Sequence, residues 1–144
     1  MVSGDKAAVE RALEIAKTKG ARRAMLLPVS APFHCRLMQP AADAMAKALA
    51  DVAIKAPASP LVSNVLAAPI TDPDEIRRRL IEQVTGTVRW RECVERMAAD
   101  GVTAYVEIGA GKVLAGLVKR IAKEAQAVSV GAPVDMEAAR VLLG

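Results

Sequence analysis

A chain of 144 residues has the length of one domain and can bury about two thirds of the surface that its unfolded form exposes. Its hydrophobic fraction of 53% rests on alanine, with one Trp, one Tyr and one Phe, which excludes an aromatic-rich all-β core and favours closely packed helices of small residues. The net charge of +4 comes from basic residues interleaved with acids, so no basic stripe supports nucleic-acid binding; the same balance suits phosphates or an acidic protein partner.

In chain order, Met1-Val2-Ser3-Gly4-Asp5 has neither the basic start nor the apolar stretch of an export leader. Ser3 or Asp5 caps a helix to about Lys19, with Val9, Ala12, Leu13 and Ala16 on one face and Gly20 as its stop. Ala24-Met25-Leu26-Leu27-Pro28-Val29 is an apolar run of strand length.

The stretch from Val29 to Met38 then sets the only histidine, His34, in a proline-shaped loop. Pro32 fixes its own φ and pushes Ala31 toward extended backbone, so the chain leaves the strand in a defined direction and delivers His34 near a helix start. An imidazole takes up and returns a proton near neutrality, which makes it the commonest general base. A lone histidine beside Phe33 and Cys35 also serves as a hydrogen-bonded residue at a core edge, and both readings stand at this point. A base needs a nucleophile, yet no G-x-S-x-G elbow occurs, and Ser3, Ser30, Ser59, Ser63 and Ser129 fall in cap, loop or strand contexts.

From about Pro40 to Val52, Ala41, Met45, Leu49 and Val52 repeat at helical spacing behind His34. Ala56-Pro57-Ala58-Ser59-Pro60 breaks that helix, and Leu61 to Leu66 is the next strand. Thr71-Asp72-Pro73-Asp74-Glu75 starts a helix to about Glu82 or Gln83, with a capping side chain, a proline in the first turn and acids near the positive end. Arg77-Arg78-Arg79 on it is either a solvated face or a contact for phosphate or an acidic partner. Thr85-Gly86-Thr87 turns the chain, Arg89-Trp90 opens a helix with Val94, Met97 and Ala98 inward, and Gly101 ends it.

Thr103 to Ile108 is a strand, and Gly109-Ala110-Gly111-Lys112 turns it into a helix bearing Val113, Leu114, Leu117, Val118 and Ile121. Such a turn either cradles phosphate on free amides or is simply tight; it lacks Walker A spacing. Ala127 to Val130 is a last short strand, and Asp135 starts a terminal helix. Strands alternating with helices predict an open, mostly parallel α/β sheet covered on both faces, with His34, Gln83 and Gly109 at the carboxyl ends of strands. Cys35 and Cys93 lie far apart with one histidine, which predicts no metal site and free thiols in a reducing cytoplasm. No apolar stretch reaches the ~18 residues of a membrane span. A soluble, cytoplasmic protein is expected.

Leu27-Pro28-Val29-Ser30-Ala31-Pro32-Phe33-His34, followed by Leu37-Met38 and Pro40-Ala41, resembles the histidine motif of malonyl-CoA:acyl-carrier-protein transacylases. Ser63-Asn64-Val65, then Glu82-Gln83 with Val88-Arg89-Trp90, then Glu107-Ile108-Gly109-Ala110-Gly111-Lys112-Val113-Leu114 match the same family in order, so the resemblance covers almost the whole chain. Members of that family are longer, with a nucleophilic serine in a G-H-S-x-G elbow in their first half. The resemblance therefore implies a C-terminal half that carries the base without its serine, the oxyanion-hole residues or the arginine that pairs with the malonyl carboxylate.

For the fold, it implies a partial hydrolase-like (acyltransferase) core with a mostly parallel sheet over residues 29–144. Residues 1–28 would be the tail of a ferredoxin-like subdomain, either poorly ordered or paired with another chain for want of partners. For the site, it implies that His34 is the general base. The backbone carbonyl of Gln83 would fix the ring's tautomer as the third member of a triad does, which leaves the side chain at 83 secondary. Asn64 would support the base, or else is a turn asparagine; Phe33 would favour malonyl over methylmalonyl, or else packs in its loop. The implied function is malonyl transfer from coenzyme A to acyl carrier protein in fatty acid or polyketide biosynthesis, with the thioester as substrate and no cofactor. A non-catalytic assembly fragment that pairs with a separate N-terminal half, or self-associates, is the alternative.

Overall fold

Residues 2–144 are described by a computed structural model, a mixed α/β arrangement that falls into two units. The first holds the described residues up to Val65 together with Pro69–Val88, and the second holds Leu66–Ala68 together with Arg89–Gly144. Among the described residues no helix is long and apolar enough to cross a membrane.

In the first unit, α1 (Lys6–Thr18) starts where Asp5 accepts the amide of Ala8 at 3.2 Å. A 3-10 turn at Arg36–Met38 leads into α2 (Gln39–Ala50), which carries a proline in its first turn. Helix α3 (Pro73–Thr85) begins as its sequence predicts: the Asp72 carboxylate accepts the Glu75 amide at 2.8 Å, Pro73 follows the cap, and Asp74 and Glu75 lie in the first turn. It packs on α2 and on the 3-10 turn, burying Ile76, with Ala42 buried on α2.

Arginines 77 to 79 are used locally. Arg77 reaches the end of α2, donating to the carbonyls of Leu49 and, at 2.8 Å, of Val52 just beyond it. Arg78 pairs with Glu75, and Arg79 bridges Glu75 and Glu82 along the helix face.

Two expectations change. The apolar run Ala24 to Val29 forms no strand, and Met25, Leu26, Leu27 and Val29 are exposed. A strand exists only by pairing, and no neighbouring strand is offered to this run among the described residues. The strand expected over residues 61–66 stops early: β1 (Leu61–Ser63) is followed by a turn in which Ala67 adopts φ +54°, then by β2 (Ala68–Ile70), its partner. So short a connection makes the pair an antiparallel hairpin.

In the second unit, β3 (Ala104–Ile108) and β4 (Gln126–Val130) pair in parallel from Ala104 opposite Gln126 to Ile108 opposite Val130. This pair is the parallel element present; the described strands form two two-stranded sheets rather than one large one. Helices α5 (Val113–Ile121) and α6 (Met136–Leu143) pack against both strands, and α4 (Trp90–Ala99) packs on α5. The core is Val94, Ala115, Val118 and Ala127, with Trp90, Met97, Tyr105 and Ile121 against it, small residues close together as the composition implies.

Candidate active site

The loop that carries His34 closes on itself. The Phe33 amide donates to the Ala31 carbonyl at 2.9 Å, and the Cys35 thiol donates to the Pro32 carbonyl at 3.2 Å. Between them His34 takes φ +61°, a left-handed backbone that costs a non-glycine residue about 1–3 kcal/mol and persists only where the surroundings enforce it. The half-buried ring then meets α3: its Nδ1 lies 3.0 Å from the main-chain oxygen of Gln83.

That oxygen is available for a simple reason. The last four carbonyls of a helix have no amide within the helix to bond, and Gln83 lies in the last turn of Pro73–Thr85. The Gly86 amide closes the end onto the Glu82 carbonyl at 2.8 Å, which leaves the next carbonyl for the imidazole. A carbonyl only accepts, so this bond requires the hydrogen on Nδ1, and in the neutral ring it leaves Nε2 with a lone pair, the form a general base needs.

Two features of this corner escape the sequence reading. The Gln83 side chain, taken there as secondary, sets its Nε2 3.3 Å from the same ring nitrogen and 3.5 Å from the Gly86 carbonyl oxygen. Gly86 itself, seen only as a turn residue, admits no side chain: a Cβ there would stand 2.8 Å from Cγ1 of Val65 and 2.9 Å from the Glu82 oxygen. No signal in the local sequence could have shown this, because Val65 is distant in the chain. Of the other named positions, Phe33 is 44% exposed beside the ring, and Asn64 lies half-buried in the β1–β2 turn of the same unit.

Gly109 belongs to the second unit, where the glycine-rich turn is built around a carboxylate. Glu107, near the end of β3, accepts the amides of Ala115 at 2.9 Å and Leu114 at 3.1 Å, and the Ser129 hydroxyl at 3.1 Å. The Ala115 amide above all, then that of Leu114 and the Ser129 hydroxyl, hold the Glu107 carboxyl below the usual carboxylate range against the opposing effect of desolvation. The amides that a phosphate would use at the start of α5 are thus engaged by the chain's own anion, which favours the tight-turn reading. Among the described residues no group of three or more His, Cys, Asp or Glu side chains could hold a metal ion. Neither Cys35 nor Cys93 forms a disulfide, and burial pushes the Cys93 thiol up.

No family model matches the chain. It is 48% identical over 130 residues to the malonyl CoA-acyl carrier protein transacylase of Haemophilus influenzae, covering 90% of this chain and 42% of that protein. The crystal structure of an acyl-carrier-protein S-malonyltransferase from Bartonella henselae superimposes with a TM-score of 0.89 at 54% identity, over 98% of this chain and 45% of that one. A malonyl-transacylase solved in complex with a type II PKS acyl-carrier protein matches at 42% identity with a TM-score of 0.86, over 94% of this chain and 44% of that one. The chain spans less than half the length of the curated relatives it matches. In sequence and in backbone alike, the chain is thus similar over nearly its whole length to part of the malonyl-CoA:acyl-carrier-protein transacylases.

Proposed function

We propose that this chain supplies the general base for moving a malonyl group from coenzyme A to the phosphopantetheine thiol of acyl carrier protein. The observation that carries the proposal is the 3.0 Å contact between His34 Nδ1 and the Gln83 carbonyl, which leaves Nε2 able to accept a proton. In the first half-reaction, Nε2 removes the proton of a serine hydroxyl as that oxygen attacks the malonyl thioester. The imidazolium then gives the proton to the departing coenzyme A thiolate. In the second, Nε2 takes the proton of the carrier's thiol, the thiolate attacks the malonyl-serine ester, and the ring returns a proton to the serine oxygen. Gln83 accepts the Nδ1 hydrogen throughout, which holds the ring in one orientation.

The serine of this scheme is not found in a G-x-S-x-G elbow among these 144 residues, so a serine-bearing polypeptide must complete the site. Phe33, exposed beside the base, would contact the acyl group and favour malonyl over a bulkier homologue, and Asn64 would support the ring from the β1–β2 turn. The coenzyme A thioester is a substrate, and no further cofactor is required. Architecturally, residues 29–144 correspond in this reading to part of a hydrolase-like acyltransferase core. Residues 1–28 correspond to the tail of a ferredoxin-like subdomain, whose exposed Met25, Leu26, Leu27 and Val29 fit a segment awaiting its partner.

Mixing the chain with a polypeptide that bears the serine half of a relative tests this. Malonyl transfer is expected from the mixture and not from the 144 residues alone, and His34→Ala should lower it by about 10²–10⁴-fold. A malonyl ester found by mass spectrometry on this chain alone would overturn the scheme. The exposed apolar run also favours a second reading, an assembly fragment without catalytic role; transfer indifferent to His34→Ala would establish that one instead.

A further inference from the structure

We propose that the Gln83 side-chain amide competes with its own main-chain carbonyl for Nδ1 of His34, and so sets the share of the ring that is competent as a base. The proposal rests on His34 being the base. Two groups of one residue converge on a single ring atom: the Gln83 oxygen at 3.0 Å and the amide Nε2 at 3.3 Å. They demand opposite things of it. The carbonyl can only accept and needs a hydrogen on Nδ1, whereas the amide N–H can only donate and needs a lone pair there.

The amide's orientation is fixed independently, because its other neighbour, 3.5 Å away, is the Gly86 carbonyl oxygen, an acceptor that must face nitrogen rather than oxygen. An NH2 group carries two hydrogens, so the contact to Gly86 persists whether or not the second hydrogen is given to the ring. When it is given, the ring's own hydrogen sits on Nε2, which then cannot take a proton from serine or thiol. The shorter carbonyl contact, held by helix backbone, keeps the Nδ1–H form in the majority. Gln83 is by this argument a positioning residue through both its groups, with the side chain acting against the main chain.

The single histidine makes the test direct, since one pair of imidazole nitrogen signals reports the tautomer in the 15N-labelled 144-residue chain. Under conditions where the ring is neutral, the unmodified chain should show nitrogen shifts averaged between the two tautomers. Gln83→Met and Gln83→Glu, which both keep the length and remove the N–H, should move Nδ1 to the fully protonated value. Circular dichroism checks that each variant is folded, and either one suffices. An unmodified ring already wholly Nδ1–H, with no change in the variants, would overturn the proposal. In the reconstituted transfer reaction, Gln83→Met should raise kcat by up to about twofold with KM unchanged, since rate follows the competent fraction. A tautomer shift without any transfer would count against the transferase reading alone and would support the competition at Nδ1.

Discussion

His34 holds a backbone angle that L-residues avoid, and its strain can be separated from its chemistry. Both His34→Ala and His34→Gly remove the imidazole, but at φ +61° alanine keeps the left-handed penalty while glycine does not. Both variants should abolish the base's contribution to transfer, with His34→Gly more stable than His34→Ala by about 0.5–1 kcal/mol in urea unfolding, the strain relieved being partly offset by glycine's greater freedom when unfolded. Equal stabilities would mean that the loop is not strained. Gly86 gives a second residue-scale prediction. A Cβ there meets the Val65 side chain and the backbone oxygen of Glu82, and backbone cannot step aside without moving the end of α3. Gly86→Ala should cost about 1–3 kcal/mol as overpacking. Transfer should fall further than this loss of stability explains, since the Gln83 carbonyl moves with that helix end.

At the scale of elements, Glu107 belongs to β3 but completes the start of α5. Its depressed carboxyl makes the join sensitive to acid in a predictable direction. A carboxylate held below its unfolded value stabilises the fold fully above the ordinary carboxylate range and loses that contribution as pH falls through the lower, folded value. Glu107→Gln removes the charge and replaces one of the two accepting oxygens with a donor. Its Tm should therefore be lower than that of the unmodified chain near neutrality, and the difference should shrink as the pH is taken down through the acid limb. A constant difference at all pH values would show that packing, rather than charge, is what the variant loses. The caps of α1 and α3 were legible because an aspartate and its helix start are neighbours in sequence. Glu107 acts on amides more than a turn of chain away, so periodicity gave no sign of its role. The β2 strand escaped notice because three residues with a proline in the middle carry no alternation to read. The site was legible only in part: a lone histidine in a proline-bent loop draws attention by itself, whereas its link to Gln83 came through the family resemblance and not through spacing.

For the molecule as a whole, what the chain buries is as informative as what it leaves bare. Val94 is wholly buried among alanines and another valine, where close packing leaves little room to relax. Val94→Ala should cost about 2–3 kcal/mol, from two lost methyl groups at ~0.8 kcal/mol each and the cavity left behind. The run from Met25 to Val29 is the opposite case, apolar enough for a strand yet exposed. A double change of Leu26→Ser and Leu27→Ser should shift the chain's own stability by no more than about 0.5 kcal/mol, because residues that contribute little burial take little away when replaced. If this run docks against a serine-bearing partner, the same change should weaken that association and raise the partner concentration needed for half-maximal transfer. Once the partner is saturating, kcat should be unchanged, since neither residue lies in the His34 loop. An association constant unmoved by the double change would place the docking surface elsewhere on the chain, and a fall in kcat at saturation would mean that the run shapes the site itself.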